Sequence, residues 1–224
     1  MISKQIYCKN CENFIKMPHE EVIQGHILLP IPIQLSENYD LIEKFGSVGF
    51  GIVFKAKHLL EEKLYAVKLI SFDSHGFSKH QIEENFHELS HEIKNYRKMK
   101  HKYIIKYITS FKYVQENSIA IIMKLAESSI SPILQFIPPE DAKRFLLQIC
   151  EGIGYLHNEK KPIHRDLKPQ NLLILNGEIK ICDFGIAKIK VHEKTTLSRI
   201  VGTPEFMAPE LLNEEDFIDA KVDL

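Results

Sequence analysis

The chain has 224 residues, 44% hydrophobic and 26% charged, and its Lys+Arg and Asp+Glu nearly cancel to a formal charge of -1. That balance leaves no basic footprint for nucleic acid or an anionic membrane surface, and such a length can bury a sizeable core. No apolar run approaches the ~20 residues of a membrane-spanning helix; the best candidate, His26 to Leu35, is short and broken by Pro30 and Pro32.

Residues 1–38 read as a leader of uncertain structure. They hold Cys8 and Cys11 in a CxxC, with His19 and His26 further on. These four are a candidate zinc set; two cysteines in a flexible leader are the plainer reading. The first residues lack a signal peptide's apolar stretch, and four cysteines do not make a disulfide scaffold. A reducing cytoplasm is the expected compartment. Cys150 and Cys182 read as small buried side chains.

Regular periodicity starts at Tyr39. Segments 39–46, 52–58 and 63–71 read as strands joined by short turns. Phe86, Leu89, Ile93, Tyr96 and Met99 recur at helical spacing and share one face. Two more strands are expected near 104–112 and 118–124. Pro138-Pro139-Glu140 suits a helix first turn, and Ala142, Phe145, Leu146, Ile149, Ile153 and Leu156 form the expected buried stripe of that helix. NLLIL and EIKIC then flank Asn176-Gly177, a strong hairpin signal. The sum is a two-lobed α+β architecture: a five-stranded first lobe with one helix, then a mostly helical second lobe.

PIHRDLKPQNLLI (162–174) and KICDFGIAK (180–188) lie on either side of that hairpin. With FGSVGFGIV (45–53) and YAVKLI (65–70) they resemble the eukaryotic protein kinase family, serine/threonine branch, from about Tyr39 to Leu224. The resemblance implies an ATP- and Mg²⁺-dependent enzyme transferring the γ-phosphate to Ser or Thr hydroxyls of protein substrates. It implies Asp166 as the group that orients the hydroxyl or takes its proton, and Lys168 beside the transferring phosphate. Asn171 and Asp183 would hold Mg²⁺. Phe45, Gly46, Gly49 and Gly51 would form the phosphate-covering loop, where Val48 stands in place of the family's middle glycine. Val53, Ala66 and Leu173 would enclose the adenine, with Met123 as gatekeeper and Lys124, Leu125 and Ala126 as the hinge. Lys68 would reach the α/β-phosphates and pair with Glu92, Glu88 being the competing partner.

Lys168 and GTPEFMAPE (202–210) resemble the Ser/Thr branch, with Thr203 hydrogen-bonding the catalytic loop. GTPEFMAPE is also similar to with-no-lysine kinases, but Lys68 stands in its usual place, so that subfamily is not assigned. Arg165 beside Asp166 accompanies control by activation-loop phosphorylation, for which Thr195, Thr196 and Ser198 are the candidates; a plain solvated loop is the alternative. Asp223 matches the aspartate that binds the catalytic loop from the start of a long buried helix whose body lies beyond residue 224. The chain by itself is therefore expected to be poorly stable and weakly active or inactive. A kinase-like module that binds nucleotide or a partner without turnover is the alternative to an enzyme. Oligomeric state and target motif are not legible.

Overall fold

The structure is a computed structural model that describes residues 5–8, 13–16, 28–30, 33–36, 38–48, 51–72, 78–113, 117–158, 164, 166–183, 203–212 and 220–223. Three short strands, β1 (Gln5–Cys8), β2 (Asn13–Lys16) and β3 (Leu28–Pro30), pair antiparallel in the order β2-β1-β3. The main sheet holds β4 (Ile33–Ser36), β5 (Tyr39–Val48), β6 (Gly51–His58), β7 (Leu64–Ser71), β8 (Tyr107–Tyr113) and β9 (Ser118–Lys124). Its order is β4-β5-β6-β7-β9-β8, every pair antiparallel. The five strands expected from periodicity are all present. Ile33–Ser36, which the sequence reading assigned to the leader, adds a sixth by pairing with β5.

Strand β9 shows why this sheet needs cover on both faces. Ile119, Ile121 and Met123 enter the large core, while Ala120 and Ile122 enter a smaller one with Leu41, Phe54, Ala56 and Val67. Successive side chains point to opposite faces, so a strand buried on both must be apolar throughout. Helix α1 (Lys79–Lys98) covers the first face with Phe86, Leu89, Ile93 and Tyr96, and Met99 follows them into the core just past its end. Its start is set locally: Gln81 N–H donates to Ser78 Oγ at 3.3 Å and Ser78 N–H to Gln81 Oε1 at 2.8 Å, a reciprocal capping box.

Helix α2 (Pro139–Asn158) packs on a small sheet of β10 (Ser128–Ser129), β11 (Leu172–Leu175) and β12 (Glu178–Ile181). Phe145, Ile153 and Leu156 are buried and Ile149 half-buried, but Ala142 is exposed and Leu146 is 60% exposed. The inward face runs instead through Gln148 and Gly152. Gln148 Oε1 accepts the Ile179 N–H at 2.8 Å, and a Cβ on residue 152 would lie 2.7 Å from Ile181 Cδ1. A polar residue and a glycine thus make the close contact with β12, which an apolar stripe could not reveal. Cys150, expected inside, is exposed. Asn176 and Gly177, at φ 54° and 71°, make the tight turn between β11 and β12.

The two halves are joined by backbone bonds as well as by the core. Ile105 N–H donates to the Ile181 carbonyl at 2.9 Å, and Ile181 N–H to the Tyr103 carbonyl at 2.8 Å. This pairing takes Ile104 and Ile105 out of β8, which starts at Tyr107 rather than at 104. After Lys124 the chain crosses over, and Glu127 N–H donates to the Ile174 carbonyl at 2.9 Å.

Candidate active site

The loop before β11 is shaped by its own backbone and by one buried amide. Pro169–Asn171 forms a 3₁₀ turn, with Asn171 N–H donating to the Lys168 carbonyl at 2.9 Å. Asn171, only 2% exposed, donates through Nδ2 to the Asp166 carbonyl at 2.8 Å and to Asp166 Oδ2 at 3.1 Å. Lys168 Nζ lies 2.8 Å from the same Oδ2, and Thr203 Oγ1 donates to Asp166 Oδ1 at 3.0 Å. Lys168 Nζ also donates to Thr203 Oγ1 at 2.6 Å. The carboxylate of Asp166 is therefore fixed by three donors while its side chain keeps 16% exposure.

His164 anchors this loop to the segment after β12 that carries Asp183. Asp166 N–H donates to His164 Nδ1 at 3.3 Å, so Nδ1 is the unprotonated nitrogen. Nε2 then carries the hydrogen and donates to the Cys182 carbonyl at 2.9 Å. Burial pushes the His164 pKa below its ordinary value, against the upward pull of the Cys182 bond and of Asp223, Asp183 and Asp166. Asp223 Oδ2 accepts the His164 N–H at 2.8 Å and lies 2.9 Å from His157 Nε2. Cys182 N–H donates to the Asn171 carbonyl at 3.0 Å. Burial drives the Cys182 thiol well above its ordinary pKa, with Asp183 adding to it, so this sulfur stays protonated.

The sheet contributes the other wall. Val53 pairs with Lys68, Lys68 with Ile121, and Ala66 with Met123. Residues opposite one another, and those two apart, share a face, so Gly51, Val53, Ala66, Lys68 and Met123 all point to one side. Lys68 Nζ lies 2.7 Å from Asp183 Oδ1, joining the sheet to the segment after β12. This corrects the expected Lys68–Glu92 pair: the ion pair formed at Lys68 is with Asp183, and Glu92 is half-buried on α1. A buried ammonium needs a carboxylate at contact distance. Asp183 supplies it from a left-handed backbone at φ 63°, a conformation that costs a non-glycine residue of order 1–3 kcal/mol and clusters at working sites.

A family model for the protein kinase domain matches residues 39–224. The chain belongs to the protein kinase family. Serine/threonine-protein kinase TIO of Arabidopsis thaliana is 34% identical to this kinase domain over 192 residues, covering 84% of the chain and 14% of its own length. Serine/threonine-protein kinase dst1 of Dictyostelium discoideum is 33% identical over 192 residues, covering 83% of the chain and 24% of its own length. Serine/threonine-protein kinase nekl-2 of Caenorhabditis elegans is 28% identical over 198 residues, covering 81% and 53%. The chain thus spans no more than a quarter of the length of the first two relatives.

Within the kinase domain, Asp166, Lys168, Asn171 and Thr203 converge, and Lys68 meets Asp183. Met123 is buried with its sulfur 3.5 Å from Tyr96 Oη, and burial raises the pKa of that phenol well above its ordinary value. Leu173, Leu125 and Ala126 are half-buried and Lys124 is exposed. Phe45 is 51% exposed and Gly46 has open space where a Cβ would stand. Gly49, Arg165, Thr195, Thr196 and Ser198 lie outside the described residues, as do Cys11, His19 and His26. No group of three His, Cys, Asp or Glu side chains able to hold a metal occurs among the described residues. His164 and His157 were missed as site residues. The signal available for His164 was its place two residues before Asp166.

The donor set suits magnesium and nucleotide. Asn171 uses its Nδ2 on Asp166, which leaves its Oδ1 as an oxygen ligand, and Asp183 offers a carboxylate. One carboxylate and an amide oxygen match the habit of Mg²⁺ to take few protein oxygens beside phosphate oxygens. A Cβ on Gly51 would stand 2.9 Å from the Leu69 carbonyl oxygen and 3.3 Å from Lys68 Cε, so a glycine is needed above the lysine.

Proposed function

We propose that the chain is the catalytic part of a serine/threonine protein kinase that transfers the γ-phosphate of ATP to protein hydroxyls. The observation that carries this reading is the Asp166 carboxylate, held by Asn171, Lys168 and Thr203 on a loop tied to Asp183.

Phosphoryl transfer needs positioning and charge neutralisation more than covalent help from the protein. Asp166 orients the Ser or Thr hydroxyl and takes its proton as the oxygen bonds to phosphorus; the bond to the ADP oxygen breaks, and ADP leaves with that electron pair. Lys168 keeps a positive charge beside the transferring group. Lys68 binds the α/β-phosphates from the sheet, and Gly51 lets the backbone of β6 come close. Val53, Ala66 and Leu173 hold the adenine against Met123 and the 124–126 segment. Mg²⁺ bound by Asn171 and Asp183 supplies neutralisation of the phosphate oxygens. The bond from Lys168 to Thr203 supports the Ser/Thr assignment, because it links the loop to the segment expected to receive the substrate.

Phosphate transfer from labelled ATP to a mixed Ser, Thr and Tyr peptide library tests this. Label on Ser and Thr peptides that disappears with Asp166→Asn is expected. Label confined to Tyr peptides, or equal label with Asp166→Asn, would overturn it.

A further inference from the structure

The end of α1 and the loop after it set four cations around one hollow. Lys94, Arg97, Lys98 and Lys100 are all exposed and line a surface cavity of about 620 Å³. A helix C-terminus favours positive charge in its last turn, which accounts for Arg97 and Lys98. It accounts for neither Lys94, one turn earlier, nor Lys100, beyond the end. Lys94 faces Arg97 at i+3 and Lys98 at i+4, spacings at which like charges destabilise a helix. Among the described residues no carboxylate forms an ion pair with any of the four, although nearby Lys102 pairs with Glu151 at 3.0 Å and Lys180 with Glu178 at 2.6 Å. The frame of the hollow is fixed: Lys100 N–H donates to Tyr155 Oη at 3.1 Å, and Met99 between Lys98 and Lys100 is buried.

We propose that this hollow docks an acidic segment of a protein partner, one presenting clustered carboxylates or phosphates. Arg97 offers a planar fork that suits either group, and the three lysines add point charges. The chain's formal charge is -1, so the attraction is local to this site. Single-stranded nucleic acid is held by aromatic stacking along a groove, and among the described residues no aromatic one lines this cavity. The proposal is independent of the reading of the active site.

The test is fluorescence anisotropy of labelled short peptides titrated with the full chain. One peptide carries clustered glutamates, a second phosphoserines in their place, and a third glutamines. The two acidic peptides are expected to bind and the neutral one not, and comparing the first two tells carboxylate from phosphate. K94E/K98E and the milder K94Q/K98Q should each weaken binding by about tenfold or more, with melting little changed, because the effects of exposed charges on a helix end are small. K143E, an exposed change on α2, should bind as wild type does. Equal affinity of wild type and K94E/K98E would overturn the proposal. So would phosphatidylserine vesicles or single-stranded DNA that displace the acidic peptides.

Discussion

The ammonium of Lys68 stands 2.7 Å from Oδ1 of Asp183, across 115 residues of sequence, with side-chain exposures of 7% and 12%. Removing one member of such a pair leaves the other buried without its counter-charge. Lys68→Met is expected to lower the unfolding free energy by about 3 kcal/mol, measured by urea denaturation. Asp183→Asn should also destabilise, and the double variant should cost less than the sum by about 1 kcal/mol or more. An additive cycle would show that the two do not act on each other.

Asp166 and Asp183 should separate binding from chemistry. Asp166→Asn is expected to lower phosphotransfer by about 10²–10⁴-fold while excess Mg·ATP still raises the melting temperature. Asp183→Ala should lose most of that shift, because it removes a carboxylate proposed to hold Mg²⁺. Loss of the shift in both variants would mean that Asp166 serves nucleotide binding instead.

His164 predicts a pH dependence with a definite sign. Its neutral ring accepts from Asp166 N–H and donates to the Cys182 carbonyl, so a second proton would break the first bond. Burial holds its folded pKa below the ordinary 6.5. The unfolded chain then binds the proton more readily than the folded one. This contribution is complete above the ordinary value and is lost as pH falls from there through the folded pKa. The urea midpoint should therefore drop between about pH 8 and about pH 5, and His164→Gln should flatten part of the drop. A wild-type slope unchanged in the variant would assign the effect to other groups.

Two glycines in one predicted phosphate loop should behave differently. A Cβ at Gly46 would have nothing within 4 Å, whereas one at Gly51 would meet the Leu69 carbonyl at 2.9 Å. Gly51→Ala is expected to cost about 1–3 kcal/mol and to weaken the ATP-induced melting shift. Gly46→Ala should stay within about 0.5 kcal/mol of wild type. Equal effects of the two would remove the steric argument.

Much of this was legible in the residues. Alternation in 52–58 and 63–71 marked the strands, since period 2 is a property of the strand itself. The α1 stripe was legible for the same reason at period 3.6, and Asn176-Gly177 announced its turn through left-handed φ. The α2 stripe was drawn partly on the wrong residues because Gln148 and Gly152 do the packing against β12. Strand β4 went unseen because its four residues are too few to show a period.

The sequence alone determined what is periodic or local: five strands of the main sheet, the two long helices, the hairpin, and the motif residues that bring Asp166 near Asn171. Tertiary structure decided which charges meet. Whether Lys68 finds Glu92 or Asp183, and that His164 joins Asp166 to Cys182 and Asp223, depends on how the halves close on each other. Coulomb attraction and hydrogen bonding act within a few ångströms of space and carry no record of separation along the chain.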